Sequence, residues 1–119
     1  QRLVRTLCRE CRKPYRALPE MVAETGLDRY AAPGEEITLY EPVGCEHCAG
    51  TGFVGRVAIM EIMPMSDGIR SLVMRHATSG EIQKQAVAEG LMTMYEHGLR
   101  KVLAGTTTLE EVLRVTREV

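Results

Sequence analysis

Apolar positions follow two different rhythms along this chain, and the change comes near Met65. Upstream they come in short runs separated by loops. Leu3, Val4 and Leu7 suit a short strand or a strand entering a turn, with a short helix as the alternative in so brief a segment. Pro19 to Thr25 reads as a short helix, with proline in its first turn and Gly26 just beyond its end. Ile37 to Tyr40 and Phe53 to Met63 read as strands. In the second, Val57, Ile59, Glu61 and Met63 face one way and Ala58, Met60 and Ile62 the other. Both faces are mostly apolar, which predicts a strand covered on each side.

Downstream of Met65 the period is helical, and neither Cys nor Pro occurs. Ile69, Leu72 and Val73 form one apolar stripe, and Ile82, Ala86 and Val87 a second. Leu99, Val102 and Leu103 form a third, and Leu109, Val112 and Leu113 a fourth. The first of these helices is expected to open at Ser66 or Asp67 and run to about His76. Thr78 with Glu81, Thr93 with Glu96 and Thr108 with Glu111 match the capping box. There the hydroxyl accepts from the third residue's N–H and the carboxylate reaches back. Gly90 and Gly105 stand where helices end in the left-handed conformation. Helices of roughly 8–12 residues do not persist alone in water, so they must pack together and onto the strands.

The predicted fold class is therefore α+β. A small tetracysteine module with short strands occupies residues 1–64, and a helical C-terminal subdomain of about four short helices occupies residues 65–119. Composition sharpens this. The 119 residues are 45% hydrophobic and 26% charged, with a net charge of −1, which excludes disordered, collagenous and strongly basic classes. With no Trp and a single Phe there is little to stack on bases, so no nucleic-acid partner is expected. No run approaches the roughly 18 apolar residues of a membrane span, and no signal-peptide layout opens the chain. A cytosolic setting is the expectation, and Gln1 in place of Met predicts a chain lying within a longer protein.

Charge is uneven. Arg2, Arg5, Arg9, Arg12, Lys13 and Arg16 face only Glu10 within the first 16 residues. These bases are expected to pair with acidic groups of a neighbouring domain or subunit, ahead of phosphate or acidic lipid.

The chemistry concentrates in Cys8-Arg9-Glu10-Cys11 and Cys45-Glu46-His47-Cys48. Two thiolates two residues apart reach one side of a tight turn, and two such turns close a tetrahedral four-sulfur site suited to zinc. A closed site leaves no open coordination position, so the zinc would be structural. An iron–sulfur cluster uses the same ligands, and two redox dithiols are the further alternative. His47, His76 and His97 read as solvated or capping side chains rather than ligands. Met60, Met63, Met65, Met92 and Met94 read as core gap-fillers.

Gly50-Thr51-Gly52-Phe53-Val54-Gly55 spells G-x-G-x-x-G, but it follows a cysteine knuckle and enters a strand. A dinucleotide fingerprint follows a strand and opens a helix. The glycines more simply let backbone N–H groups approach thiolate sulfur. No G-x4-G-K-[ST] phosphate loop, H-E-x-x-H motif or Ser/His/Asp set occurs in the sequence, so no catalytic residue is assigned.

Several segments together resemble one family. Gln1-Arg2-Leu3-Val4-Arg5 running into Leu7-Cys8-x-x-Cys11 and Pro14-Tyr15 is similar to the bacterial secretion ATPases. So are Gly44-Cys45-x-x-Cys48-x-Gly50-Thr51-Gly52-Phe53-x-Gly55-Arg56 and the stretch from Gly98-Leu99 through Thr108-Leu109-Glu110-Glu111-Val112-Leu113-Arg114-Val115-Thr116. The family comprises the type II secretion and type IV pilus assembly ATPases, the GspE/PilB group. The resemblance implies a cytoplasmic P-loop ATPase that forms a homohexamer at the inner membrane and works with platform proteins there. ATP hydrolysis, with Mg2+, would power pilus or pseudopilus assembly and export. It implies a structural Zn2+ on Cys8, Cys11, Cys45 and Cys48, a short remnant of the ATPase core at Gln1 to Leu7, and a parent whose phosphate loop lies upstream of Gln1. A free-standing zinc-ribbon adaptor or chaperone-like module is the competing reading, and a thiol oxidoreductase the third.

Overall fold

Two antiparallel ribbons, rather than one sheet, make up the β part of the molecule. In the computed structural model, which describes residues 1–116, β1 (Arg2–Leu7) lies beside a later strand, β4 (Phe53–Ile59). Arg2 stands opposite Ile59 and Arg5 opposite Arg56, and the register slips between Arg5 and Leu7. The second ribbon pairs β2 (Lys13–Arg16) with β3 (Thr38–Glu41), Lys13 opposite Glu41 and Arg16 opposite Thr38. The Lys13–Arg16 strand carries no apolar alternation of its own, and periodicity gave no sign of it. The chain crosses from β1 to β2 through Cys8 and Cys11, and from β3 to β4 through Cys45 and Cys48. Both cysteine pairs therefore sit where one ribbon hands over to the other.

The excursion between β2 and β3 holds α1 (Pro19–Thr25), ended by Gly26 at φ 82°, and a 3₁₀ turn at Leu27–Arg29. The helical part contains α2 (Asp67–Met74), α3 (Ser79–Ala88), α4 (Met94–Leu103) and α5 (Leu109–Thr116). All four starts are capped as the hydroxyl pattern predicts. Ser66, Thr78, Thr93 and Thr108 accept from the N–H of Ile69, Glu81, Glu96 and Glu111. Only Thr78–Glu81 completes the reciprocal box. Glu96 turns to Arg100, and Glu111 turns to Arg5 and Arg114, because a charge-assisted bond to a cation offers a carboxylate more than a neutral backbone N–H does.

The main core draws on both ends of the chain. Ala17, Leu27 and Leu39 pack with Leu99, Val102, Leu109 and Val112. α4 and α5 approach closely at Gly98, where an added Cβ would stand 2.5 Å from Val112 Cγ1. Tyr95 ties α4 to α1 by donating its hydroxyl to the Thr25 carbonyl at 2.7 Å.

α2 and α3 pack chiefly on each other, with Ile69 and Ala86 buried. Two hydrogen bonds hold the linker before them to α4: Met60 N–H donates to His97 Nδ1 at 2.8 Å, and Met94 N–H donates to Glu61 Oε1 at 3.0 Å. His97 thus has a specific structural partner rather than only solvent.

Two expectations fail together in this linker. The strand ends at Ile59 instead of Met63, because β1 offers no partner beyond Arg2. Met60, Met63, Met65 and Met92 do not fill the core; they are 39–53% exposed.

Candidate metal centre

Ribbon pairing brings the two knuckles face to face. The four sulfurs of Cys8, Cys11, Cys45 and Cys48 all lie within 4.8 Å of one another. Sγ of Cys8 is 3.8 Å from that of Cys45, Cys11 is 3.8 Å from Cys48, and Cys45 is 3.7 Å from Cys48. A tetrahedron with metal–sulfur bonds of about 2.3 Å has edges of about 3.8 Å, so these separations suit one ion held by four thiolates. They far exceed a disulfide bond of about 2.05 Å. Cys8 and Cys48 are buried, and Cys11 and Cys45 are partly so.

The backbone prepares the site for negative charge. The N–H groups of Gly44, Cys45 and Gly52 donate to sulfur, the first to Cys11 at 3.3 Å and the others to Cys48 at 3.1 and 3.2 Å. Gly44 lies at φ 113°, and a Cβ there would meet the Gly50 carbonyl oxygen at 2.7 Å. Gly52 lies at φ 82° against Pro42. Of the glycines after the second knuckle, Gly52 brings its N–H to sulfur as their placement predicted, while the Gly50 N–H closes the turn on the Cys45 carbonyl. Thr51 fastens the turn by donating its hydroxyl to the Cys48 carbonyl at 2.7 Å.

These contacts make the thiols unequal. Burial works to raise Cys48, but the Cys45 and Gly52 N–H groups and the adjoining thiols outweigh it and bring Cys48 down to about 6. At Cys11 the Gly44 N–H pulls downward, yet burial and the three neighbouring thiols prevail and push it up to about 11. Ionisation is thus eased at Cys48 and opposed at Cys11. Four thiolates together require a bound positive ion, which is how metal binding couples to deprotonation and to folding.

The other residues singled out from sequence lie outside this cluster. His47 is exposed on its knuckle, and the sulfurs gather without it. Three of the six bases of the opening find partners within the chain. Arg5 pairs with Glu111, Arg12 stacks on Tyr40 at 4.2 Å and donates to the Gly105 carbonyl, and Arg16 pairs with Glu36. Glu111, 3% exposed, had no sequence signal as a buried charge beyond its place in a capping box. No helix among the described residues is long and apolar enough to cross a membrane.

Comparison with known proteins gives the family of the chain. The family model for type II/IV secretion system proteins matches residues 1–114. The chain belongs to that family.

Its secretion-family relatives include the type II secretion system protein E of Xanthomonas campestris pv. campestris, 47% identical over 118 residues. That match covers 99% of this chain and 20% of the relative. The type IV pilus assembly ATPase PilB of Myxococcus xanthus is 43% identical over 95% of this chain and 20% of its own length. The Thermus thermophilus PilB is 42% identical over 99% of this chain and 13% of its own length. The chain thus spans a fifth or less of these secretion and pilus proteins.

Proposed function

We propose that this chain is the zinc-binding C-terminal part of a hexameric, cytoplasmic motor ATPase peripheral to the inner membrane. In that parent, ATP hydrolysis with Mg2+ drives pilus or pseudopilus assembly and protein export. Neighbouring subunits and inner-membrane platform proteins are its partners. The observation that carries the reading is the family match across nearly the whole chain, together with relatives named as secretion and pilus assembly proteins.

Within the parent, residues 1–64 act as the zinc module and residues 65–119 as the helical subdomain. Cys8, Cys11, Cys45 and Cys48 are the zinc ligands, and the edge lengths of about 3.8 Å support that choice. Zinc supplies a redox-inert cross-link with no open position, so its part is structural. It fastens the β1–β4 ribbon, which leans on α5, to the β2–β3 ribbon, which carries α1. The chain itself presents no phosphate loop, so nucleotide turnover belongs to residues outside it.

The reading frame ahead of Gln1 tests the proposal. A G-x4-G-K-[ST] loop encoded there is the expected result, with ATP turnover by the longer protein and none by the 119-residue chain. A frame without that loop, or turnover by this chain above a blank, overturns it.

A further inference from the structure

α1 and the loop at residues 31–37 enclose an open cleft of about 660 Å3 that the metal centre does not use. That volume is in the range of clefts that accept ligands. Its walls are apolar, formed by Val22, Ala23, Ala31 and Ile37, with buried Ala17 between them. α1 has no buried residue of its own. A second opening, of about 360 Å3, borders Ala31, Ala32 and Glu35 and reaches Thr38 and Leu103, so the loop stands clear of the body.

The rim is acidic. Between Ala17 and Ile37 the chain carries Glu20, Glu24, Asp28, Glu35 and Glu36 against one base, Arg29. Asp28, Glu35 and Glu36 line the cleft, with Arg16 beside them. Glu36 is bonded to Arg16 at 2.7 Å in a pair so exposed that water competes for both partners. Neither Asp28 nor Glu35 has an ion pair among the described residues. Clustered like charges beside an apolar channel repel one another and attract positive charge. The same field opposes anionic lipid, phosphate and nucleic acid.

We propose that this cleft docks a basic polypeptide segment of a partner protein. One apolar side chain of that segment seats between α1 and the loop, and flanking Lys or Arg residues face Asp28 and Glu35. Charge complementarity sets the choice of occupant, and the apolar walls give it a register.

The test titrates the isotope-labelled 119-residue chain with the peptide acetyl-Lys-Arg-Leu-Lys-Lys-amide, and with a counterpart bearing Glu at each basic position. Saturable amide shifts at Val22, Ala23, Ala31 and Ile37 are expected with the basic peptide alone. Affinity should fall roughly tenfold between about 0.05 M and about 0.3 M salt. The double variant Asp28→Lys/Glu35→Lys should weaken binding by at least about tenfold. Ala23 is exposed on α1, so Ala23→Trp fills the cleft without altering charge or core, and should block binding as well. Undiminished binding by both variants, or shifts confined to another surface, overturns the proposal. So do shifts at these residues produced by raising the chain's own concentration, or by anionic lipid vesicles.

Discussion

Glu111 on α5 holds Arg5 on β1 through both backbone and side chain, across 106 positions of sequence. Its Oε2 accepts the Arg5 backbone N–H at 2.8 Å, and its Oε1 accepts Nε and Nη2 at 3.1 and 2.8 Å. Arg114 adds a third cationic donor at 2.9 Å, and the Thr107 hydroxyl donates to the Arg5 carbonyl at 2.7 Å. The outward peptide groups of Arg5, otherwise an open edge of a two-stranded ribbon, are thereby satisfied. Glu111→Ala should lower unfolding free energy by about 2 kcal/mol, since it strands the part-buried Arg5 N–H and takes a shared acceptor from two half-exposed guanidinium groups that water then solvates. Glu111→Gln keeps an acceptor for that N–H and should lose less. Urea unfolding of the three proteins gives the comparison.

The same pair predicts acid sensitivity. Burial by itself raises Glu111, but Arg5, Arg114 and the Arg5 N–H outweigh it and hold the carboxyl at about 2. A carboxyl lowered on folding stabilises the fold above its unfolded pKa, and the contribution disappears as pH falls towards the folded value. The contribution is ~2 kcal/mol once solvent screening at half-exposed Arg5 is allowed for. The stability gap between the parent chain and Glu111→Gln should be full at pH above about 5 and close as pH falls towards about 2. A gap independent of pH would remove the ion pair from the account.

Gly98 sets the distance between α4 and α5. A methyl group there would stand 2.5 Å from Val112 Cγ1 and 3.4 Å from Ile59 Cδ1. Gly98→Ala should destabilise by about 1–3 kcal/mol despite alanine's better helix propensity. Adding Val112→Ala should recover part of the loss, so the two changes will be non-additive in a double-mutant cycle.

The linker after β4 is held to α4 by single contacts. His97→Ala removes the acceptor of the Met60 N–H, and the amide protons of Met60 and of Met94, which bonds Glu61 on the same linker, should then exchange faster while those of Leu99 and Val102 stay protected. Equal acceleration throughout α4 would mean that His97 supports the core rather than the linker.

The helices were legible because their starts carry local chemistry: Ser66, Thr78, Thr93 and Thr108 each cap as their hydroxyls predict. The gathering of four cysteines was legible because two short turns can share one centre. What local pattern does not encode is partnership across the chain. β2 exists because Thr38–Glu41 pairs with it. β4 stops at Ile59 because β1 runs out, so methionines that look like core lie in the open. Arg5 reads as a surface base until Glu111 arrives from the far end of the sequence. The opening bases read as partners for acidic groups of a neighbouring domain or subunit, and Arg5 does meet Glu111 of the helical part, while Arg12 and Arg16 are engaged nearer by.

The most direct measurement for the central claim is metal content and coordination of the purified chain and of Cys45→Ser. The account predicts one zinc per chain with four sulfur neighbours at about 2.3 Å by X-ray absorption. Cys45→Ser should lose the metal and loosen residues 8–56, while the α2–α3 pair keeps its helicity. A metal-free parent as well folded as the metal-loaded one, or iron with sulfide in place of zinc, would contradict it.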